Sequence, residues 1–271
     1  MEYVTTNGVI VPALGFGTAR MDEYETQRLA IETALATGYR HLDTAQIYGS
    51  ERAVGDAIRE SSVDRADCFI TTKLSGDNRS YDRVLESTQT SLDRLDTDYV
   101  DLLLIHSPNE AVAHAETLEA MNELYADGAV RHLGVSNFSI DQCEQAREAS
   151  EAPIITNQVK YHLRHRQDEL LTWCLEEDII LTAYSPLAVG GLTTDSTLQE
   201  IGQAHGKTAA QVAIRWLLDQ PNVMTIPMSS SPAHIRENFD VFDFSLCADE
   251  RRRLFGLEGS PPSELLERFH E

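Results

Sequence analysis

Four side chains suited to proton chemistry follow one another along the chain: Asp43 in RHLDTAQ, Tyr48 five residues on, Lys73 in FITTKL and His106 in YVDLLLIHSP. Taken singly, each has a plain structural explanation. An aspartate at a strand end is as often a helix cap, and a tyrosine in a loop is usually packing. Their ordered recurrence at the ends of successive apolar runs is far more specific. Lysine occurs only at Lys73, Lys160 and Lys207, so one retained at the end of an apolar strand needs a partner, which a strand-end Asp43 could supply. A phenol of pKa about 10 is a poor proton donor at neutral pH, and an adjacent ammonium would lower that value.

Residues this far apart meet only if a regular frame brings them together. Short apolar runs recur around 41–43, 68–72, 100–105, 133–135, 154–159, 179–183, 223–226 and 241–244, giving eight expected strands. Between them lie segments with apolar residues at spacings of three and four, among them TQRLAIETALATG, SYDRVLESTQTSLDRL, AETLEAMNELYADG, SIDQCEQAREA and AAQVAIRWLLDQ. Alternating βα units of this kind build an open doubly wound sheet or a closed barrel, and the count favours an α/β fold of the (β/α)8 TIM barrel type. The opening YVTTNGVIVPALG carries a hairpin signal at Asn7-Gly8, expected to cover one end of the barrel. Asp43, Lys73, His106, Asn137, Gln158 and Tyr184 then fall at or just beyond strand C-termini, the face where βα loops build active sites. No linker or low-complexity tract divides the chain, so residues 1–271 are expected to form one domain.

Bulk composition narrows the setting. The chain holds 44 Asp and Glu against 22 Lys and Arg, a net charge of −22, which argues against nucleic acid or an anionic membrane as partner. Acidity combined with scarce lysine points to adaptation to high salt, where self-repulsion is screened. Neither a long apolar run nor a leader pattern is evident, so a cytoplasmic monomer is expected. Cys68, Cys143, Cys174 and Cys247 are widely spaced, with no CxxC, and read as buried thiols with no metal site.

The segments GFGTA, TGYRHLDTAQIYGSE, TTK, DYVDLLLIHSP, VRHLGVSNF, NQVKYH, AYSPL, GKTAAQVAIRWLL and IPMSSSPAHIRENFDVFDF together resemble the aldo-keto reductases, in family order over nearly the whole chain. The resemblance implies a barrel that binds NADPH, NADH or both without a Rossmann domain, and Gly15-Phe16-Gly17 indeed lacks the third glycine of that fingerprint. It implies reduction of aldehydes or ketones, with Tyr48 as proton donor, Lys73 tuning it, Asp43 anchoring Lys73, and a neutral His106 orienting the substrate. For the cofactor it implies Thr18, then Ser136, Asn137 and Gln158 at the carboxamide and Tyr184 against the ring. Ser185, Leu187 and Val189 would lie along the pyrophosphate, and Met228, Ser229, Ser230, His234, Glu237 and Asn238 around the adenosine. Two departures stand out. Ser107 follows His106 where the family often has tryptophan, leaving a smaller, more polar wall to the substrate site beside Tyr48 and His106. Met228 and His234 stand where lysine and arginine usually meet a 2′-phosphate. The short tail after Phe244 resembles compact prokaryotic members such as diketogluconate and methylglyoxal reductases. The alternative the same barrel allows is a nicotinamide-binding regulatory subunit of a membrane protein.

Overall fold

In the computed structural model, which describes residues 1–109 and 111–257, Asn7 and Gly8 take φ of 46° and 78° and join antiparallel strands β1 (Tyr3–Thr6) and β2 (Val9–Pro12). Asn-Gly tolerates positive φ at both central positions, and such a turn matches the twist of the strands it links. Eight parallel strands follow, paired in chain order: β3 (Phe16–Gly17), β4 (His41–Asp43), β5 (Phe69–Leu74), β6 (Leu102–Ile105), β7 (Leu133–Ser136), β8 (Ile154–Lys160), β9 (Ile180–Tyr184) and β10 (Val223–Thr225). The two ends of this sheet meet. Gly15 N donates to Thr225 O at 2.9 Å, Thr225 N to Ala13 O at 2.9 Å, and Gly17 N to Pro227 O at 3.1 Å, closing the barrel.

Among the described residues ten helices connect and surround the strands: α1 (Tyr24–Thr37), α2 (Glu51–Glu60), α3 (Tyr81–Leu95), α4 (His114–Ala126), α5 (Ile140–Ala149), α6 (Asp168–Glu176), α7 (Ser196–His205), α8 (Ala209–Leu218), α9 (Pro232–Phe239) and α10 (Ala248–Phe255). Capping boxes start three of them, Ser139 with Gln142, Thr208 with Gln211 and Cys247 with Glu250, each satisfying backbone N–H groups the first turn leaves free. The hairpin plugs the N-terminal end of the barrel, where Val9 and Val11 pack on Ile180, Met224, Leu102, Leu104 and Ile155. Water is thereby excluded from one end, and chemistry is confined to the other.

The eighth strand is not where hydrophobic patterning puts it. Residues 241–244 follow α9 as irregular chain, with Val241 buried in the core and partly buried Phe244 packed against it. The first barrel strand is instead β3. A Cβ on Gly15 would come within 2.6 Å of His41 Nδ1, and one on Gly17 within 2.8 Å of Ile226 O. Side chains of His41 and Ile226 crowd Gly15 and the Ile226 carbonyl crowds Gly17, so both positions take glycine, and the strand here is only two residues long, too short for periodicity to detect. A second correction concerns the thiols: Cys68, Cys143 and Cys174 are buried, but Cys247 is exposed at the start of α10. The expected single domain includes residues 258–271, which lie outside the described residues.

Candidate active site

Strands β4 and β5 pair with Asp43 opposite Thr71, so Lys73, two residues further on, projects from the same face. Both side chains enter the barrel, Lys73 being 0% and Asp43 2% exposed. Lys73 Nζ donates to Asp43 Oδ1 and, at 2.9 Å, to Thr44 O. Gln158 Nε2, from β8 across the barrel, donates to the other Asp43 oxygen at 2.7 Å. The buried charges are therefore paired and hydrogen-bonded, the condition under which such a pair is tolerated. Burial pushes the Lys73 ammonium below its ordinary value, and Asp43 offsets part of that.

Tyr48 ends a single helical turn, Gln46–Tyr48, after β4, and Lys73 Nζ lies 5.0 Å from its ring centre. Gln46 Oε1 accepts from Ser75 N and Asn78 Nδ2, both at 2.9 Å, which ties this loop to the one after β5. His106 is the first residue beyond β6, with Nε2 3.4 Å from the Tyr48 hydroxyl. Burial first, and then Lys73, lowers the imidazole to about 4, so His106 is neutral at pH 7. Tyr48 runs against expectation. Its phenol is pushed above the ordinary value by burial first, then by Asp43 and Tyr184. Tyr48 accordingly holds its proton through neutral pH.

These groups form the floor of a cavity of about 800 Å³ that opens at the C-terminal face and extends between the loops after β9 and β10. Asp43, Tyr48, His106, Ser136, Asn137, Gln158, Tyr184, Ser185, Leu187, Val189, Met228, Ser229, Ser230, His234, Glu237 and Asn238 all line it. Asn137 Nδ2 donates to His106 O at 3.0 Å, and its Oδ1 accepts from the Tyr184 hydroxyl at 2.9 Å, so one side chain fixes two walls. Non-glycine residues with positive φ cluster here: Arg20, Asn137, Ser185, Ala188 and Val189. For β-branched Val189 that conformation is a genuine strain, of the kind that collects at ligand sites. An aromatic face, amide side chains and turns of strained backbone along one elongated cavity fit a nicotinamide dinucleotide.

Other expected residues lie elsewhere. Lys73 is sealed beneath the floor. Thr18 is buried, donating to Asp43 O at 3.1 Å and sharing a hydrogen bond with Ser50 Oγ at 2.7 Å. Ser107 does not line the cavity, and its carbonyl accepts from Arg79 Nη2 at 2.7 Å. Arg79 escaped sequence reasoning. It is 1% exposed, also donates through Nε to Ser75 O at 3.0 Å, and so binds the loop after Lys73 to the loop after His106. Arg20 was missed as well, since nothing in GFGTAR marks it as reaching the cavity wall.

A closed parallel barrel with a tyrosine, a neutral histidine and a buried lysine–aspartate pair at its C-terminal mouth defines an enzyme of the nicotinamide-dependent barrel oxidoreductase class. Residues 13–257 match the model of the aldo/keto reductase family, and the chain belongs to that family. It is similar to the glyoxal reductase of Bacillus subtilis, 38% identical over 265 residues that cover 96% of this chain and 95% of that protein. A solved structure provisionally assigned as a 2,5-diketo-D-gluconic acid reductase B shares 44% identity with a TM-score of 0.92, covering 98% of this chain and 96% of that one. An aldo/keto reductase from Brucella melitensis is 40% identical with a TM-score of 0.89, over 94% and 99% of the two chains.

Proposed function

We propose that this reductase converts small aldehydes and ketones to alcohols, with Tyr48 delivering the proton. The observation that carries the reading is the pairing of the Tyr48 hydroxyl and His106 Nε2, 3.4 Å apart on the cavity floor above the Lys73–Asp43 pair. A carbonyl oxygen seated between them meets two groups that are neutral at pH 7. Bound reduced nicotinamide would supply the hydride. Tyr48 then gives its proton to the developing alkoxide, a more basic oxygen than phenolate, and Lys73 stabilises the phenolate left behind. His106 orients the oxygen without competing as an acid. Asn137, Gln158 and Ser136 would hold the carboxamide and Tyr184 would support the ring, a reading supported by their shared place on the cavity wall and by the hydrogen bond from Tyr184 to Asn137.

The adenosine end favours NADH or dual use. Half-buried Met228 and exposed His234 are the side chains beside that end of the cavity, and Arg236 lies outside it, donating to Pro232 O at 3.2 Å on its own helix. Glu237, which accepts from Thr208 Oγ1 at 2.7 Å, adds a carboxylate to the same end of the cavity. The regulatory-subunit alternative has no support in the relatives described, and no helix among the described residues is long and apolar enough to cross a membrane. A cytoplasmic, salt-adapted monomer completes the proposal, supported by the charge of −22.

The test is a screen of simple carbonyl compounds, following loss of reduced-cofactor absorbance, with parent and Tyr48→Phe. The variant should bind cofactor as the parent does and lose turnover by ~10² or more, the usual share of general acid catalysis. Undiminished turnover in Tyr48→Phe refutes the assignment.

A further inference from the structure

The cavity's reacting end is fringed by a full positive charge with which no group among the described residues pairs. Arg20 follows β3 in a left-handed conformation, φ 62°, is exposed, and lines the same cavity as Tyr48, His106 and Tyr184. Among the described residues it makes no ion pair and no side-chain hydrogen bond. Carboxylates outnumber cations 44 to 22 in this chain, and other surface guanidiniums take them up: Arg28 meets Glu25, Glu32 and Glu60, and Arg59 meets Asp56, Glu60 and Asp96. An arginine left without one at a cavity mouth is free to bind a ligand's anion. The nearby acids are already engaged, Asp43 by Lys73 and Gln158, and Glu237 by Thr208 at the far end. The Arg20 charge also reaches into the site, favouring the ionised form of both the Tyr48 and Tyr184 phenols.

We propose that Arg20 is a specificity-determining residue that binds a carboxylate carried by the carbonyl substrate, so that the enzyme selects oxo acids and semialdehyde acids over neutral carbonyl compounds. The inference rests on the proposed reduction at Tyr48. A guanidinium presents a planar fork of N–H donors that matches a carboxylate in two parallel hydrogen bonds, and it keeps its charge at any working pH. The left-handed backbone at Arg20 turns the chain at the rim, an outlier of the kind that gathers where a ligand is clamped. A dinucleotide phosphate offers the same anionic chemistry, and the experiment separates the two sources.

Parent, Arg20→Gln and Arg20→Lys are compared on 4-carboxybenzaldehyde and on its neutral counterpart, methyl 4-formylbenzoate, and the ratio of the two kcat/KM values is read. The parent ratio should favour the carboxylate by about tenfold or more, the worth of one charge-assisted contact. Arg20→Gln should abolish that preference, Arg20→Lys should keep part of it, and added salt should weaken it in the parent. Affinity for NADH and NADPH is measured separately by fluorescence quenching without substrate. A ratio unchanged in Arg20→Gln overturns the proposal whatever happens to the absolute rates, and weaker cofactor binding with that same ratio assigns Arg20 to a cofactor phosphate. Parent enzyme that reduces neither compound overturns the reduction reading and this inference with it.

Discussion

Replacing Lys73 with methionine removes one member of a pair that the barrel seals from water, and the cost can be worked from the partners left behind. Asp43 would remain 2% exposed, with Gln158 Nε2 at 2.7 Å as its side-chain donor, and Thr44 O would lose its ammonium donor. Breaking a buried pair by deleting one partner costs about 3–5 kcal/mol, because an uncompensated charge stays inside. The surviving Gln158 contact places Lys73→Met toward ~3 kcal/mol, a large share of a total stability of about 5–15 kcal/mol. For a chain of this size that is a fall in Tm of roughly 6–12 °C. Asp43→Asn should be destabilised comparably, since it strands the ammonium. The double variant buries no charge, so it should cost less than the sum of the single changes, with a coupling of ~2 kcal/mol or more. Urea unfolding followed by far-UV circular dichroism, with the slopes compared, measures all four proteins. Single variants within ~1 kcal/mol of the parent, or a double variant whose loss equals the sum, would refute the claim that the pair acts as a buried unit.

Cofactor choice should respond to charge at the adenosine end. Met228→Lys with His234→Arg should raise kcat/KM for NADPH relative to NADH by tenfold or more at fixed salt, and a parent already NADPH-selective by a hundredfold that the change leaves unmoved would contradict the reading. Because burial and Lys73 hold His106 near 4, its protonation belongs below the working range: kcat/KM should show no acidic limb from this group between about pH 5.5 and 8, and activity should fall only as pH drops through about 4. An apparent pKa near 6.5 that disappears in His106→Gln would show that the imidazole titrates normally. If the charge of −22 is an adaptation to salt, Tm and activity should rise together from about 0.1 M to about 2 M KCl, and equal Tm at both would make the acidity a solubility trait.

The alternation of apolar runs with helical patterns was written plainly enough in the sequence to indicate a barrel and its hairpin, because strands buried on both faces and amphipathic helices leave opposite hydrophobic signatures. The order Asp43, Tyr48, Lys73, His106 was legible for a related reason. A barrel sends every strand's C-terminal end to one face, so position along the strand already carries a residue's destination. Three things depended on tertiary structure. Strand β3 escaped detection because it is only two residues long and lies among glycines crowded by His41 and Ile226, too short a run for any hydrophobic period to show. The state of Tyr48 reversed because a phenol responds to burial and to every neighbouring group together, and here burial dominates, with the Asp43 that holds Lys73 acting in the same direction. Arg79 and Arg20 were invisible because their roles lie in what surrounds them: one is a buried clamp between the loops after β5 and β6, the other a rim guanidinium without a carboxylate. Sequence names the groups that can do chemistry, whereas solvation and partnership, which set their charge and reach, exist only once distant strands have been brought side by side.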